Sequence, residues 1–337
     1  MNNKNLTTVI TAGKKIVKNN PVLQILGSVN FTPEYLSITN LKTTLKVYLN
    51  TGLNGCINTA QFLKALTIDP VLTQEGDKAI FKNGKKEVKV IIESNDDFPI
   101  FEIKDTKVVF SIPTVEILKA SNLTSNDELR PQMMCVYVGN EYSANIEICG
   151  TDAHRLYMYD TKVLSETKFS TLINKDVISI LKSLKVQDIL IEVKDDYNLI
   201  GFYFEGVKCE IIQKTEGYKY PNYPNVMPTI QTYFGTYDKK ELMTSIKESL
   251  NFANKYTKCV KIGEILIAED ADMGTEYKEE LKFTGNPILK GYNGQFLIDI
   301  LSLLDSKDVT FATESTTRAT TMTEGNGTFL LMPVMVN

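Results

Sequence analysis

The chain has 337 residues, of which 43% are hydrophobic and 23% are charged, a composition typical of a soluble globular protein. This length exceeds what one ordinary hydrophobic core accommodates, so two or three domains are expected. No apolar run approaches the ~20 residues that a membrane-spanning helix needs. The net charge of −4, taken over the whole chain, argues against a nucleic-acid-binding protein.

The five cysteines are scattered and form no CxxC pair, and the chain has one histidine. A zinc site built from Cys and His would lack ligands at usable spacing, so we predict neither a metal nor another cofactor. Free thiols are typical of proteins in the reducing cytoplasm, which is the expected location. The cysteines are Cys56, Cys135, Cys149, Cys209 and Cys259.

Six amphipathic segments have apolar residues at helical spacing. Several start at a polar residue suited to cap a helix, such as Asn174, Asp238 and Asn293. Their starts lie 53 to 64 residues apart, which indicates a unit of one helix and several strands used six times. Two units make a domain of ordinary size, which predicts three domains, at 1–105, 106–231 and 232–337. The helical segments are residues 5–19, 59–69, 114–122, 174–185, 238–258 and 293–305.

The stretches between these segments often alternate apolar and polar residues, as half-buried strands do. They also carry short turn signals, of which Asn83-Gly84 is the strongest. The pattern predicts an α+β fold in which short helices alternate with antiparallel hairpins. The other turn signals are Gly139-Asn140, Asp195-Asp196, Glu205-Gly206 and Gly325-Asn326-Gly327.

Charge is divided unevenly between the predicted helices and the rest of the chain. The six helical segments contain thirteen lysines and eight acidic residues, a net charge of +5, which leaves −9 for the strands and loops. A shared helix surface would therefore be positive and attract phosphate. Lysines near helix C-termini also favour the helix dipole, which is the alternative explanation.

The bases are thirty-four lysines and three arginines. Specific reading of guanine prefers arginine, whereas lysine suits contact with a phosphate backbone regardless of sequence. A codon bias toward lysine and asparagine would give the same ratio, so this observation leaves both explanations open.

The stretch CGTDAHRLYMYDT contains the single histidine, His154, close to Cys149, Asp152 and Arg155. These residues suggest a nucleophile with a base, but on a strand Cys149 and His154 would point to opposite faces. No G-x-S-x-G or Walker A sequence is present. We therefore predict that the protein is not an enzyme, with a Cys149/His154 hydrolase as the less favoured alternative.

One further stretch is apolar where a chain is usually polar, and another is interrupted by prolines. The C-terminal TFLLMPVMVN either packs into its own domain or lines a groove for a partner. The proline-rich YKYPNYPNVMP, at 218–228, falls at the predicted junction of the second and third domains. With Leu156 and Tyr157 these stretches could form an apolar cleft, a common kind of ligand site.

The motifs TDAHRL (151–156), YPNYPNVMP (220–228) and LLMPV (330–334) resemble, in order and spacing, three landmarks of the bacterial DNA polymerase III β subunit, the sliding clamp. The resemblance extends over the whole chain. PVLQILGSVNF and LSITNLKTTL (21–45) are similar to the start of that family. DDFPIF (96–101) and FSIPTVEILKA (110–120) resemble its crossing into the second domain, and EEL with GYNGQFLIDIL (279–301) is similar to its last domain.

The resemblance implies three similar domains, each with two helices backed by antiparallel sheets, and two chains closed head to tail into a ring. Twelve helices would line a hole around double-stranded DNA, with acidic sheets outside. The implied partners are DNA of any sequence, a DNA polymerase, an ATP-dependent clamp loader and a second copy of the chain. The residues implied to face DNA are Lys14, Lys15, Lys18, Lys64, Lys119, Arg130, Gln132, Lys175, Lys182, Lys239 and Lys247.

By the same resemblance, TDAHRL is one wall of a pocket for short linear peptides of partner proteins, and His154 and Asp152 fix the loop without performing chemistry. The implied dimer joint is a first-domain edge strand around Val88 and Val90 against Phe252 of the other chain. The pocket residues are Met133, Thr151, His154, Arg155, Leu156, Pro221, Val226, Leu330, Leu331, Met332 and Pro333.

Several residues depart from the family pattern, so the peptide preference is expected to be particular to this protein, as in a phage or plasmid clamp. Ala153 replaces the usual glycine of the turn, and Pro224 and Asn225 stand where basic residues are common. The ending from Val334 to Asn337 replaces a typical Met-Arg-Leu. A clamp-fold decoy that binds peptides without encircling DNA is the alternative in the same fold.

Overall fold

The computed structural model describes residues 1–17, 21–101, 108–194 and 196–335. Lys18, which was predicted to face DNA, lies outside these ranges. The described residues contain six α-helices and three short 3-10 helices. The α-helices are α1 (Asn3–Lys14), α2 (Thr59–Leu66), α3 (Thr114–Ser121), α4 (Lys175–Leu184), α5 (Lys239–Ser249) and α6 (Gly294–Leu301), and the 3-10 helices are η1 (Gln24–Gly27), η2 (Pro131–Met134) and η3 (Tyr223–Val226).

The remaining regular structure consists of short strands. In chain order these are β1 (Ser28–Phe31), β2 (Leu36–Thr39), β3 (Thr43–Val47), β4 (Gly55–Asn58), β5 (Val71–Glu75), β6 (Lys78–Asn83), β7 (Lys86–Ile91), β8 (Val108–Pro113), β9 (Val136–Gly139), β10 (Asn145–Thr151), β11 (Arg155–Leu164), β12 (Ser170–Ile173), β13 (Asp188–Val193), β14 (Tyr197–Phe204), β15 (Val207–Lys214), β16 (Tyr233–Asp238), β17 (Cys259–Ile262), β18 (Ile265–Asp270), β19 (Thr275–Glu280), β20 (Thr284–Gly285), β21 (Lys290–Asn293), β22 (Asp308–Thr313), β23 (Thr320–Glu324) and β24 (Gly327–Leu331). None of the described helices is long and apolar enough to cross a membrane.

The predicted caps are confirmed. The side chains of Asn174, Asp238 and Asn293 accept hydrogen bonds from backbone N–H groups in the first turns of α4, α5 and α6. Asn2 and Asn58 do the same for α1 and α2. These side chains satisfy donors that a helix start leaves without intrahelical partners, so the chain itself specifies where most of its helices begin.

The prediction for the fifth helix was wrong at its C-terminal end. The spacing predicted a helix to residue 258, but α5 ends at Ser249. The side chain of Asn254 accepts hydrogen bonds from the N–H groups of Tyr256, at 3.1 Å, and Thr257, at 3.2 Å. Such a local turn competes with the helix for the backbone donors, so Lys255 and Lys258 lie on a loop.

The six α-helices carry a net positive charge when their observed ends are used. They contain nine lysines and five acidic residues, a net charge of +4, on a chain whose net charge is −4. The predicted separation of charge between helices and strands is therefore present in the folded protein.

The chain forms two compact units, residues 1–118 with 171–218 and residues 119–170 with 219–337. Both units take residues from the predicted middle domain, 106–231. In the first unit β3 pairs with β15, which joins the predicted first and second domains. In the second unit β11 pairs with β24, which joins the predicted second and third domains. The three-domain boundaries remain a prediction.

The first unit contains an antiparallel sheet in the order β4-β1-β2-β3-β15-β14-β13-β8 and a smaller sheet β5-β6-β7. Helix α1 packs against α2 and α4 and buries Leu6, Val9 and Ile10. Glu205 and Gly206 both have positive φ in the two-residue turn between β14 and β15, as the tightest hairpins require. The predicted hairpin at Glu205-Gly206 is thus confirmed.

The second unit contains strands in the order β9-β10-β11-β24-β23-β22-β16-β20 and a four-stranded sheet β19-β18-β17-β21. Helices α5 and α6 pack against each other. The rings of Tyr157 and Phe329, tilted against each other with centroids 4.4 Å apart, lie in its core where β11 meets β24. This junction of β11 and β24 positions the candidate site.

Candidate functional site

The turn 152–154 between β10 and β11 is built around the carboxylate of Asp152. Its Oδ1 accepts hydrogen bonds from the N–H of His154 at 3.0 Å and of Arg155 at 2.9 Å. The Thr151 hydroxyl donates to the Arg155 carbonyl at 2.8 Å and accepts from the N–H of Ala153 at 3.1 Å. These polar side chains fix the loop locally, as Asp and Thr do in tight turns.

The backbone constrains two small residues, Gly150 just before this turn and Ala153 within it. Gly150 lies on β10 against α3, where an added Cβ would sit 2.0 Å from the Ala120 carbonyl oxygen. Ala153 has a φ of +77°, in the left-handed region that costs an L-residue about 1–2 kcal/mol. The backbone thus keeps a glycine-like conformation although the residue at 153 is alanine.

The side chain of Arg155 connects the turn to α6. Its Nε lies 2.8 Å from Asp152 Oδ2, and its Nη1 lies 2.6 Å from Asp299 Oδ2. The guanidinium also sits 4.5 Å from the centre of the Phe296 ring, a favourable cation–π distance. The His154 ring stacks on the same phenylalanine at 5.8 Å.

Sequence reasoning missed Phe296 and Asp299. They lie three residues apart on α6, beside the fully buried stripe that includes Leu297 and Ile300. That half-buried i, i+3 pair was the available signal, because residues at this spacing share one edge of a helix.

The C-terminal segment joins the turn through backbone pairing. Arg155 and Leu156 on β11 lie opposite Leu331 and Leu330 on β24. Beyond β24, the N–H of Met332 donates to the His154 carbonyl at 2.8 Å. The apolar ending packs into its own unit through Leu330 and Leu331, which are buried, while Met332 is 38% exposed; its part in binding a partner remains a prediction. Pro333 is half-buried.

The segment 220–226 attaches to β10 through tyrosine hydroxyls. Tyr220 donates to the Cys149 carbonyl at 3.2 Å, and Tyr223 donates to the carboxylate of Glu147. Burial raises the pKa of Glu147, and the Tyr223 hydrogen bond only partly opposes that rise. Pro221 is half-buried, and Val226 is 48% exposed on η3.

The structure thus brings eight of the predicted pocket residues, at 151, 154–156 and 330–333, into one continuous set of backbone contacts. Pro221 and Val226 lie on the segment tied to β10, and Met133 lies on η2, which precedes β9. Leu156 and Met133 are only 2% and 5% exposed, so their side chains belong to the core. The most exposed apolar residues of the set are Val226, at 48%, and Met332, at 38%.

Cys149 and His154 do not form a catalytic pair. Cys149 is fully buried on β10, opposite Met158 of β11, whereas His154 is exposed in the turn. Burial holds the pKa of the Cys149 thiol well above its usual value, and a Tyr220 hydrogen bond opposes the rise only in part. A neutral, inaccessible thiol is a poor nucleophile.

Solved structures of bacterial DNA polymerase III β subunits match this chain over its whole length. The β subunit from Thermotoga maritima covers 100% of this chain and 99% of its own, with a TM-score of 0.83 and 17% identity. The sliding clamp from Pseudomonas aeruginosa bound to griselimycin covers 100% and 98%, with a TM-score of 0.84 and 16% identity. The β subunit from Borrelia burgdorferi covers 100% and 99%, with a TM-score of 0.85 and 14% identity.

The chain has the β sliding-clamp fold. The resemblance in three short motifs is thereby confirmed at the level of architecture, with six helices and antiparallel sheets. No protein-family model and no curated protein matches the sequence. The chain is thus a divergent example of the clamp fold.

Within this clamp fold, most of the predicted DNA-facing residues are exposed on helices. Lys14 and Lys15 lie at the C-terminal end of α1, where the Lys15 ammonium donates to Ser183 Oγ at 2.9 Å. Lys239 is half-buried and donates to the Leu304 carbonyl at 2.6 Å. The exposed members on the other helices are Lys64, Lys175, Lys182 and Lys247.

Lys119, Arg130 and Gln132 occupy different surroundings. The Lys119 ammonium lies 3.3 Å from Asp305 and 3.6 Å from Glu324, with its side chain 15% exposed. Arg130 is exposed, 3.5 Å from Asp127, and Gln132 is half-buried in η2. Lys119 is thus neutralised by two carboxylates, unlike the helix lysines that face solvent.

The residues predicted at the dimer joint lie beside two sheet edges of the clamp fold. Val88 is half-buried and Val90 buried on β7, an edge strand of the three-stranded sheet. Phe252 is exposed, and its ring stacks on Tyr277 of β19 at 5.5 Å. β19 is an edge strand of the four-stranded sheet.

Proposed function

We propose that this protein is a DNA sliding clamp, a divergent member of the β-subunit family. It would encircle duplex DNA and tether a DNA polymerase and other partners, among them an ATP-dependent clamp loader. The observation that carries the proposal is the full-length match of fold to solved β subunits, at TM-scores of 0.82 to 0.85. Because their identity to this chain is low, the functional residues of this chain must support the proposal by themselves.

The exposed helix lysines support a sequence-independent contact with DNA. The helices are positive on a negative chain, and arginine, which reads bases best, is scarce. Contacts of lysine with phosphate would be weak and replaceable, which suits sliding. Topological linkage around the duplex then provides retention without strong binding.

Two edge strands with opposite charge support ring closure by a second copy. The hairpin of β6 and β7, residues 78–91, carries five lysines and one glutamate. The hairpin of β18 and β19, residues 265–280, carries six acidic residues and one lysine. An exposed sheet edge must be paired or protected. Antiparallel pairing of β7 with the partner's β19 would satisfy both edges.

The surface formed by the turn 152–154, the 220–226 segment and Met332 supports binding of short apolar peptides. Two or three buried anchors contribute ~1.5–3 kcal/mol each. Ordering costs reduce the sum, and the expected affinity is roughly micromolar, about −8 kcal/mol. Affinity at this level allows exchange among several partners at one site.

The burial of Cys149 argues against the hydrolase alternative, since the residue proposed as its nucleophile is inaccessible. On this proposal Asp152 and His154 have structural roles in the peptide site. The second candidate function is a clamp-fold decoy that binds peptides without encircling DNA, and an experiment must distinguish it from a sliding clamp.

Peptide binding is tested with a fluorescently labelled decapeptide that carries two leucines and a phenylalanine. Val226→Asp and Met332→Asp should each weaken its binding at least tenfold, because each places a charge among the apolar anchors. Leu164→Asp is the matched control, since Leu164 is 73% exposed at the far end of β11. Equal affinity of all three variants and the natural protein would show that the peptide site lies elsewhere.

A further inference from the structure

Four tyrosine rings pack together beside β10. Tyr137 lies on β9, Tyr142 in the following loop, and Tyr220 and Tyr223 in the proline-rich segment. The centroid of the Tyr137 ring lies 5.2 Å from that of Tyr220 and 5.7 Å from that of Tyr223. The Tyr142 and Tyr223 rings meet edge to face at 5.3 Å. We name these four residues the tyrosine cage.

Every hydroxyl of the tyrosine cage has a hydrogen-bond partner. Tyr137 accepts from the N–H of Glu141 at 3.1 Å, and Tyr142 donates to the Tyr220 carbonyl at 3.0 Å. Tyr220 donates to the Cys149 carbonyl, and Tyr223 donates to Glu147. Three of the four rings are almost completely buried, so losing a partner would leave a costly unsatisfied hydroxyl.

Three of these bonds hold the segment that carries Pro221 and Val226, and the two donated by Tyr220 and Tyr223 tie it to β10. That segment contains only η3, a four-residue 3-10 helix, which provides little order of its own. Its bonds reach β10 at Glu147 and Cys149, just before the turn that begins after Thr151. The position of the segment therefore depends on tertiary contacts made by tyrosine side chains.

We infer that Tyr220, Tyr223 and Glu147 are positioning residues of the peptide site, which fix the 221–226 segment beside β10. The inference rests on the proposed peptide-binding function. None of the three residues needs to touch the peptide. Tyr220 and Tyr223 are 3% exposed, so their effect on affinity would pass through Pro221 and Val226.

The test uses Tyr220→Phe and Tyr223→Phe, which keep each ring and remove one hydrogen bond. Amide hydrogen exchange of residues 222–228 should accelerate about tenfold, and affinity for the labelled decapeptide should fall by a similar factor. Tyr203→Phe is the matched control, because Tyr203 is 74% exposed in the other unit; it should change neither quantity.

Two substitutions of Glu147 distinguish a role in hydrogen bonding from a role in packing alone. Glu147→Gln keeps an acceptor oxygen for Tyr223 and should stay within about threefold of the natural affinity. Glu147→Leu has similar size but no acceptor, and it should match Tyr223→Phe. Unfolding midpoints are measured on all variants, so that a loss of affinity in a folded protein is distinguished from unfolding.

The outcomes separate the inference from the function beneath it. If the natural protein binds the decapeptide and the tyrosine variants bind and exchange equally well, the positioning role is overturned and the proposed function stands. Equal loss in Glu147→Gln and Glu147→Leu would also overturn it, since the acceptor would then be irrelevant. If the natural protein binds no peptide, the peptide-site function itself fails.

Discussion

Ala153 holds the turn of the candidate site in a conformation that favours glycine. Its φ of +77° costs an alanine about 1–2 kcal/mol in the folded state, while glycine loses more entropy on folding. Ala153→Gly should therefore raise the free energy of unfolding by about 0.5–1 kcal/mol, measured by urea denaturation.

Ala144→Gly is the control for this substitution. Ala144 is exposed in a bend and is not among the residues with positive φ, so glycine there should lower stability by about 0.5 kcal/mol. If both variants lose stability, the turn at 153 is unstrained, and the positive φ of Ala153 does not reduce the free energy of unfolding.

The roles of single residues in the site were only partly readable from sequence. A structural role for Asp152 was expected by resemblance, and the hydrogen bonds at the turn are consistent with it. Asp299 was not expected, because its pairing with Arg155 spans 144 residues. Such a contact depends on how β11 and α6 pack, which local periodicity does not encode.

At the scale of elements, Lys119 shows why a helix lysine need not be available to DNA. Its ammonium is shared between Asp305 and Glu324. The Glu324 carboxylate also accepts hydrogen bonds from the N–H groups of Asp305 at 2.9 Å and Ser306 at 2.7 Å. The cluster joins α3 to the loop after α6 and to β23.

This cluster predicts a pH-dependent stability. Burial alone would raise the pKa of Glu324, but the hydrogen bonds from Ser306 and Asp305 and the charge of Lys119 outweigh it and lower that pKa. A lowered carboxylate pKa stabilises the folded state above the ordinary value of 4.5, and this contribution disappears as the pH falls through the folded-state value. Glu324→Gln should thus lower the unfolding midpoint at pH 7, with the difference shrinking below pH ~4.5.

Thermal unfolding from pH 3 to 7 measures this difference. Glu314→Gln is the control, because Glu314 pairs with Arg318 only at 3.9 Å on the surface. A constant difference between the natural protein and Glu324→Gln at all pH values would contradict the role of the carboxylate charge.

The exposed helix lysines predict a graded loss of DNA affinity. Lys64→Ala and Lys182→Ala should each weaken association with duplex DNA. Each should also reduce the slope of log affinity against log salt by about 0.9, as expected for one phosphate contact. Binding is measured by anisotropy of a labelled duplex at several salt concentrations.

Two control substitutions test whether the loss of DNA affinity is specific to the exposed helix lysines. Lys214→Ala removes an exposed lysine from a strand, β15, and should leave the salt slope unchanged. Lys119→Ala should lower stability more than DNA affinity, because its partners are carboxylates of the same chain. If Lys214→Ala acts like Lys64→Ala, the contact is a general charge effect and the helices have no special part in it.

At the scale of the whole molecule, the sequence predicted the six helices and the antiparallel hairpins because these signals are local. Caps such as Asn174 and turns such as Glu205-Gly206 act within a few residues. Sequence reasoning placed the C-terminal stretch near Leu156 and Tyr157, but it did not predict that β11 pairs with β24 or that β3 pairs with β15. Each pairing joins strands more than a hundred residues apart. The alternation of apolar and polar residues is the same in these strands as in their neighbours along the chain, so it does not indicate which strands pair.

Charge on the two edge hairpins predicts how copies of the chain associate. Replacing Lys86 and Lys89 of β7 with glutamate should convert dimers to monomers, because like charges would then face each other across the joint. Adding Glu276→Lys and Glu280→Lys on β19 should restore the dimer. Light scattering after size exclusion measures the mass; a dimer that survives the first pair of changes would place the joint elsewhere.

The most direct measurement of the central claim asks whether the protein is linked topologically to DNA. The protein is assembled on a nicked DNA circle, washed in high salt to remove electrostatic binding, and the circle is then cut once by a restriction enzyme. Encirclement predicts that the protein stays on the intact circle and leaves promptly when the DNA becomes linear. Equal retention before and after cutting would contradict encirclement, and loss from the intact circle during the wash would favour the decoy or a protein that binds DNA only along its surface.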